Sequence, residues 1–267
     1  MGMSEDIARL TTAAQDLVNT FTGKAAAIDA SVAAALQAAP SMQRTYVVDS
    51  VAGDDAAAGT VAAPLRTIKK AVDLTPSGGS VEILLKPAQV FLIDADINVV
   101  NKIVRIDRQA VGTKPIIRPK GYLDTGGLNA NYGFYGFGGT ILFLNCTLES
   151  ASKTDAAKAN GFLLGLLRRC DLATLTVAVF GCDVVLQGLP LAHIAAACQR
   201  TDMWMYIVSI TTPGAGMLVV SETNPFTLYA ANMTLPGGTT IASLITGMVK
   251  DTNAVPVPRN VESNLVL

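Results

Sequence analysis

The sequence predicts a mainly β protein in which short strands wind in stacked coils behind a long N-terminal helix. A train of short apolar segments, separated by turn residues, runs from Tyr46 to Pro119. Later in the chain, apolar stretches that end in a cysteine recur, which is typical of stacked repeats. Residues 5–39 place apolar side chains seven positions apart, which indicates a long helix.

The composition favours a protein that buries much of its surface. Half of the 267 residues are hydrophobic and 15% are charged, and the length suits one sizeable domain with an appendage. A large core or burial between subunits would explain this balance, and burial between subunits is preferred. The net charge of −1 without a basic cluster argues against nucleic acid as a partner.

The chain is not expected to enter a membrane, because no apolar run reaches the ~18–20 residues that a membrane-spanning helix needs. Glu5 and Asp6 lie where a secretory signal would carry positive charge and then an apolar run. We therefore expect synthesis in the cytoplasm without a cleaved signal.

The N-terminal helix is predicted to form a coiled-coil stalk over residues 1–40. An apolar seam repeats every seven residues, which favours a parallel bundle of several chains. Packing of the helix against its own domain is the alternative, and the Pro40–Arg44 linker favours the bundle. The seam residues are Ile7, Leu10, Ala14, Leu17, Phe21 and Ile28.

Residues 41–80 are predicted to form a linker and a cap. A short helix is expected to begin at Pro64 and to present Leu65, Ile68 and Val72 on one face. Asp54-Asp55 is interpreted as a turn rather than a calcium loop, because the alternating oxygen ligands are absent. Strands are predicted at Val81–Leu85, Ile97–Val100, Ile103–Ile106 and Ile116–Ile117.

This order of motifs resembles the start of a right-handed parallel β-helix of the pectate-lyase-like superfamily. It is especially similar to the capping segment of phage tailspikes, tail fibres and bacterial surface proteins. The same coil carries lyases, hydrolases and inert fibres, so the resemblance implies a fold more than a function. The matching motifs are Tyr46-Val-Val-Asp49, Gly53-Asp-Asp55, Gly59-Thr60, Pro64-Leu-x-Thr-Ile-x-Lys-Ala-Val72, Gly78-Gly79 and Lys114-Pro-Ile-Ile117.

Residues 81–251 are predicted to form the β-helix, with coils of ~20–25 residues. Cys146, Cys170 and Cys182 each end an apolar stretch and would stack inside such a column. Their uneven spacing has two explanations, turns of varied length or a second face of the same coil for Cys182. A disulfide is sterically possible, but reduced thiols are expected after cytoplasmic assembly.

Two other segments are expected to leave the coils. Residues 120–139, rich in glycine, asparagine and aromatic residues, predict an excursion from the strands. Residues 252–267 predict an extended C-terminal strap on a neighbouring subunit, with a frayed tail as the open alternative.

Few residues could carry catalysis. Asp171 and Asp183 each follow a cysteine and form the best carboxylate pair for glycoside cleavage, which needs two carboxyls ~5–9.5 Å apart. Such aspartates more often end a strand by bonding to the next turn. His193 has apolar neighbours and is interpreted as a core or interface residue. With a single histidine and no C-x-x-C pair, no metal site and no cofactor are predicted.

Four aromatic residues are candidates for stacking on a sugar or another receptor: Tyr132, Tyr135, Trp204 and Tyr206. The preferred alternative is that they cover the apolar column.

The resemblance to tailspikes and tail fibres, taken with the predicted stalk and the apolar composition, implies a homotrimeric tail-fibre or spike subunit of a phage tail or baseplate, assembled in the host cytoplasm. The N-terminus would bind other tail or baseplate proteins, and the β-helix would bind host-surface polysaccharide or another receptor. The alternative is a polysaccharide-degrading tailspike, a lyase or glycoside hydrolase with an intersubunit groove. The short chain favours adhesion over catalysis. A bacterial surface adhesin is a third class, and the missing signal segment counts against it.

Overall fold

The computed structural model describes residues 2–38, 42–136, 138–153, 163–168, 174–194, 200–222, 224–248 and 260–265. The chain divides into two compact units, Met1–Met42 and Gln43–Leu267. The first unit is helical and the second is mainly β.

The first unit consists of helix α1, Met3–Ala38, close to the predicted range of 5–39. Glu5 and Asp6 lie in its first turn, where negative charge stabilises a helix terminus. From Gly2 to Ala33 every side chain is exposed. In the described parts of the chain, no helix combines the length and hydrophobicity that crossing a bilayer requires.

The second unit contains a short helix, α2 (Ile68–Asp73), a 3₁₀ helix (Ile241–Leu244) and many short strands. The described strands are β1 Gln43–Val48, β2 Ser80–Leu85, β3 Val90–Ile93, β4 Ile97–Asn98, β5 Ile103–Arg108, β6 Ile116–Pro119, β7 Gly121–Leu123, β8 Asn129–Asn131, β9 Phe134–Tyr135, β10 Thr140–Leu144, β11 Thr147–Glu149, β12 Thr174–Phe180, β13 Asp183–Val185, β14 Ala192–Ile194, β15 Arg200–Thr211, β16 Val219–Ser221, β17 Phe226–Thr234, β18 Ile245–Thr246 and β19 Val261–Ser263.

Twelve of these strands form one large parallel sheet that is curled into a half-barrel. Its order is β1-β2-β5-β10-β12-β15-β13-β11-β6-β3, and β17 and β19 continue from β15. Strand β15 pairs with β12 through its first half and with β13 through its last residues, so two series of strands meet in it. We call β1-β2-β5-β10-β12-β15-β17-β19 the first series and β3-β6-β11-β13-β15 the second series. The prediction of a mainly β, parallel architecture is confirmed.

A third series consists of β4-β9 and β14-β16-β18, linked by single bridges through Leu167. Along the sequence, the chain adds a strand to the first series, then to the second, then to the third, and then begins the next turn in the first series. Ser80 pairs with Ile103, 23 residues further on, as predicted. Ile103 pairs with Thr140, 37 residues further on. This second turn is longer than the predicted ~20–25 residues because it contains the antiparallel hairpin β7-β8, which lies within the excursion expected at residues 120–139.

The bend between the first and second series has a characteristic backbone conformation. Four residues in register across the strands adopt the left-handed region: Asn145 (φ 50°), Gly181 (φ 62°), Ile207 (φ 53°) and Asn232 (φ 54°). Asparagine and glycine tolerate this conformation, whereas a β-branched residue is strained in it.

The cap helix begins later than predicted. It starts at Ile68, with Thr67 as N-cap, whose hydroxyl accepts a hydrogen bond from the Lys70 N–H at 3.1 Å. Leu65 instead forms a β-bridge with Val48, which keeps Pro64 and Leu65 extended. Asp54 begins a turn as predicted, because its carbonyl accepts from the Ala57 N–H at 2.9 Å and its Oδ1 accepts from the Ala56 N–H at 3.0 Å. The Asp55 carboxylate accepts hydrogen bonds from the Thr67 N–H and hydroxyl at 2.9 and 2.8 Å, which ties this turn to the start of α2.

The core lies on the inner side of the strands and contains a stacked cysteine pair. Cys146 and Cys182 are buried free thiols, with 3.7 Å between their sulfur atoms. Thr147 pairs with Asp183, so the two cysteines occupy equivalent positions on neighbouring strands. Cys146 and Cys182 are therefore stacked one turn apart. Cys170 and Cys198 lie outside the described residues.

The C-terminal segment is described only at residues 260–265. There β19 pairs with β17 of the same chain, which extends the large sheet. The rest of the predicted strap lies outside the described residues.

Candidate functional site

An exposed aromatic surface lies on the outer side of the large sheet. We use this name for Phe180, Trp204, Tyr206 and Tyr229, on β12, β15 and β17. Trp204 is 47% exposed and Tyr206 is 42% exposed. Successive residues of a strand face opposite sides of a sheet, so the intervening Met205 is buried in the core.

The rings stack because their strands pair in register. Trp204 pairs with Tyr229, and their ring centroids lie 4.6 Å apart with the planes inclined by 21°. Phe180 pairs with Tyr206, with centroids 6.2 Å apart and planes inclined by 55°. Parallel pairing in register places equivalent side chains directly beside each other. The result is two pairs of aromatic rings on one rigid sheet.

A cavity of about 280 Å³ opens between these rings. Ala230 and Ala231 contribute small side chains to its lining, which leaves room beside Tyr206. Asn264 closes one side, and its amide exchanges two hydrogen bonds with the Ala230 backbone, each 2.9 Å long. The cavity is therefore mostly apolar, and its polar side is fixed by backbone contacts.

A charged cluster borders the aromatic surface. The Arg200 Nε donates to Asp202 Oδ1 at 2.7 Å, and its Nη2 donates to Glu262 Oε2 at 2.8 Å and to the Thr227 hydroxyl. The Tyr229 hydroxyl donates to Glu262 Oε1 at 3.2 Å. This hydrogen bond raises the pKa of the Tyr229 hydroxyl above its ordinary value.

This arrangement suits recognition of a ring that has one apolar face and polar edges. Aromatic side chains offer flat apolar area at low entropic cost, and the neighbouring charges supply hydrogen-bond partners. Sugar rings have this combination of C–H faces and hydroxyl edges. Among the residues that the structure describes, no group of three or more His, Cys, Asp or Glu side chains is placed to hold a metal ion.

The four predicted aromatic candidates do not lie together. Trp204 and Tyr206 share the aromatic surface described above. Tyr132 stacks on Tyr122, with centroids 4.6 Å apart, beside the hairpin β7-β8. Tyr135 lies on β9 and is only partly exposed. Two of the four candidates therefore form a common surface.

Asp183, one of the two weak catalytic candidates, forms an ion pair. Its Oδ1 lies 2.8 Å from the Lys114 Nζ, and its register neighbours are Thr147 and Ser209. Its proposed partner Asp171 lies outside the described residues. Asp183 therefore lies on the second strand series as the partner of Lys114.

His193 is buried on the third strand series, with 3% of its surface exposed. Its Nε2 lies 3.6 Å from Glu222 Oε1, and no partner for its Nδ1 is found within the described residues. Burial lowers its pKa, the positive charge of Arg168 lowers it further, and Glu222 opposes both. His193 is thus held in its neutral form inside the fold.

The predicted stalk residues are exposed along α1. Leu10 is 74% and Phe21 is 65% exposed, and the other seam residues are exposed as well. These side chains are available to another helix.

The sequence did not reveal Phe180, Tyr229 or Glu262 as parts of the aromatic surface. Phe180 is the last apolar residue of the stretch that leads to Cys182, so its position at a strand end was a usable signal. Tyr229 and Glu262 lie 25 and 58 residues beyond Trp204, and turns of unequal length hide that register.

Comparisons with protein families, curated proteins and solved structures find no match for this chain.

Proposed function

We propose that this chain is a subunit of a homotrimeric phage tail or baseplate fibre that attaches to polysaccharide on the host surface. The observation that carries this proposal is the aromatic surface, where Trp204 stacks on Tyr229 beside the Phe180 and Tyr206 pair. Exposed aromatic rings on a rigid sheet are unusual unless they meet a ligand or partner. Their charged border fits the hydroxyl groups of a glycan.

For the second unit we propose a closed, right-handed parallel β-helix. Support comes from the three strand series and from the return of the chain to the first series after each turn. Parallel crossover connections are right-handed in nearly all known cases, which gives the proposed hand. Such a column would be stiff enough to hold a binding surface away from the virion.

For α1 we propose a three-stranded coiled coil that joins the subunits and attaches them to other tail or baseplate proteins. An isolated helix is marginal in water, and burial of each large apolar side chain contributes about 1.5–3 kcal/mol. The exposed seam from Ile7 to Ile28 supports association with copies of itself. Three copies of the aromatic surface would bind a repetitive polysaccharide with higher avidity than one copy.

The proposal is tested by binding of fluorescent full-length protein to host cells and to their purified surface polysaccharide. Trp204→Ala removes the half-exposed indole, and we expect its binding to fall by about tenfold per site. Tyr122→Ala is the control, because it removes a stacked aromatic ring that lies outside the aromatic surface and is not one of the predicted binding residues. Equal binding by wild type and a Trp204→Ala/Tyr229→Ala variant with wild-type melting temperature would contradict the proposal.

A polysaccharide-degrading spike is the second candidate. The observation in its favour is that Asp202 and Glu262, two carboxylates beside the aromatic surface, contact one guanidinium. Glycosidases use pairs of carboxylates within ~5–9.5 Å of each other. Release of reducing ends or of unsaturated sugars during incubation, lost in Glu262→Gln, would favour this candidate over a purely adhesive fibre.

A further inference from the structure

A second cavity, of about 410 Å³, lies on the outer side of the second strand series. We call it the basic groove, and it is lined by Leu92, Arg118, Lys120, Glu149, Lys153 and Gln187, with smaller residues between them. It is formed on β3, β6 and β11 and on the segments that follow β11 and β13. None of its side chains belongs to the aromatic surface.

Arg118 is held in a fixed position at this groove. Its Nη2 donates to Glu149 Oε1 at 3.1 Å, and its Nε donates to Glu149 Oε2. The Glu149 side chain is 8% exposed, whereas that of Arg118 is 45% exposed. A guanidinium carries five N–H donors. The contact with Glu149 uses only the donors on Nε and Nη2 of Arg118. The Arg118 Nη1 group makes no hydrogen bond to a described residue, so it is able to donate to a ligand.

The groove carries an excess of positive charge. Lys120 and Lys153 are exposed, and neither forms an ion pair with a described residue. Glu149 is the single carboxylate in the lining and is already engaged by Arg118. Two ammonium groups are thus left without a neutralising charge next to a preorganised guanidinium. Clefts lined by one sign of charge concentrate ligands of the opposite sign.

The chemistry of the lining favours a carboxylate on a sugar ring. A guanidinium matches the planar fork of a carboxylate, and this pairing is stronger than a neutral hydrogen bond. Leu92 is 47% exposed and offers an apolar contact for ring C–H groups. No aromatic side chain lines the groove. Single-stranded nucleic acid, which relies on stacked bases, is therefore a poorer fit.

We infer that the basic groove binds the carboxylate groups of an acidic polysaccharide, such as a polymer of uronic acid. This inference deepens the proposed host attachment and rests on it. It assigns the acidic part of the glycan to the second strand series and leaves the aromatic surface to the apolar faces of the sugars.

The test uses the full chain and measures its affinity for polygalacturonate, with neutral dextran and single-stranded DNA in parallel. The test variant is Lys120→Gln/Lys153→Gln. The matched control is Arg44→Gln/Arg66→Gln, which removes two exposed positive charges of the β unit that do not line the groove. We expect wild type and control to bind polygalacturonate equally and the test variant to bind about five- to twentyfold more weakly.

Three results would overturn the inference. They are no binding of polygalacturonate by wild type, an equal loss in test and control variants, or DNA binding as tight as polygalacturonate binding and lost in the same variant. Arg118→Lys adds a second check, since it keeps the charge and removes the planar fork, and we expect about a fivefold loss. If these tests fail while Trp204→Ala still weakens host binding, the groove alone is excluded and the attachment function stands.

Discussion

The two units of the chain place their large apolar side chains in opposite environments. In the β unit, Val104, Ile141 and Val177 lie in register on neighbouring strands, and each is fully buried. In α1, Leu10 and Phe21 belong to an equally regular repeat and are largely exposed. Both units therefore carry apolar periodicity, but only the β unit contains its own partner surface.

The difference follows from how the two periodicities repeat in space. The inward-facing side chains of each strand pack against those of the strand one turn earlier. One chain can therefore complete its own core. A single helix presents its seam along one line, and no second helix of comparable length is found in the described residues. We therefore expect the β unit to fold as a single chain, whereas α1 needs copies of itself to bury its apolar seam.

The largest expected effect comes from breaking the seam. In Leu10→Asp/Leu17→Asp, a charge at each seam position would have to be buried without a partner, which is strongly unfavourable. We expect the solution mass to fall from three chains to one, with the melting temperature of the β unit unchanged. Light scattering and a thermal melt of the same sample measure both properties.

Thr12→Asp/Asn19→Asp is the control for this test, because these positions lie opposite the seam and carry the same added charge. We expect this control to remain trimeric. A seam variant that stays trimeric would show that the β units hold the subunits together, and the contrast between the two units would then be wrong.

The features that the sequence predicted well are those that depend on neighbouring residues. The helix over residues 5–39 and the strands around Val81 and Ile103 follow from local periodicity, and the structure confirms them. The pairing of Trp204 with Tyr229, in contrast, depends on how many residues each turn contains. Turns of 23 to 37 residues cannot be aligned from apolar spacing alone.

The error at Pro64 has the same origin. Proline in a first helical turn is a sound local prediction, but Leu65 is held extended by its bridge to Val48. The Arg118–Glu149 fork likewise joins residues 31 positions apart. Long-range pairing therefore keeps Pro64 and Leu65 out of the helix and forms the basic groove, whereas Thr67, the N-cap, was a local signal for the helix start.

A smaller effect is expected inside the β unit, at its single histidine. Burial holds the pKa of His193 below its ordinary value of 6.5. The unfolded chain therefore binds a proton more readily than the folded chain below about pH 6.5. Stability is fully present above that pH and falls as the pH drops towards the folded pKa. We expect a lower melting temperature at about pH 5.5 than at about pH 7.5.

His193→Gln keeps the shape of the side chain approximately and removes the titrating group. We expect the melting temperature of this variant to be nearly the same at both pH values. The comparison is clean because the chain has no other histidine. An identical pH dependence in wild type and variant would show that other groups control acid stability and that burial of His193 contributes little.

The smallest effect is expected at the bend between the first two strand series, where one residue does not suit its backbone. Ile207 adopts φ 53° in register with Asn145, Gly181 and Asn232, and its side chain is exposed. A left-handed conformation costs a β-branched residue about 1–2 kcal/mol, whereas asparagine tolerates it. Replacing Ile207 by Asn should therefore relieve strain and remove little buried area. We expect the free energy of unfolding in urea to rise by about 1 kcal/mol.

Asn232→Ile is the matched reverse change on the neighbouring strand, and we expect it to lower the free energy of unfolding by about 1 kcal/mol. Both variants should be measured in the monomeric seam variant Leu10→Asp/Leu17→Asp, so that association does not contribute to stability. If Ile207→Asn is neutral there but destabilises the trimer, the exposed isoleucine contacts a neighbouring subunit. The β unit would then also depend on its copies, and its difference from α1 would be one of degree.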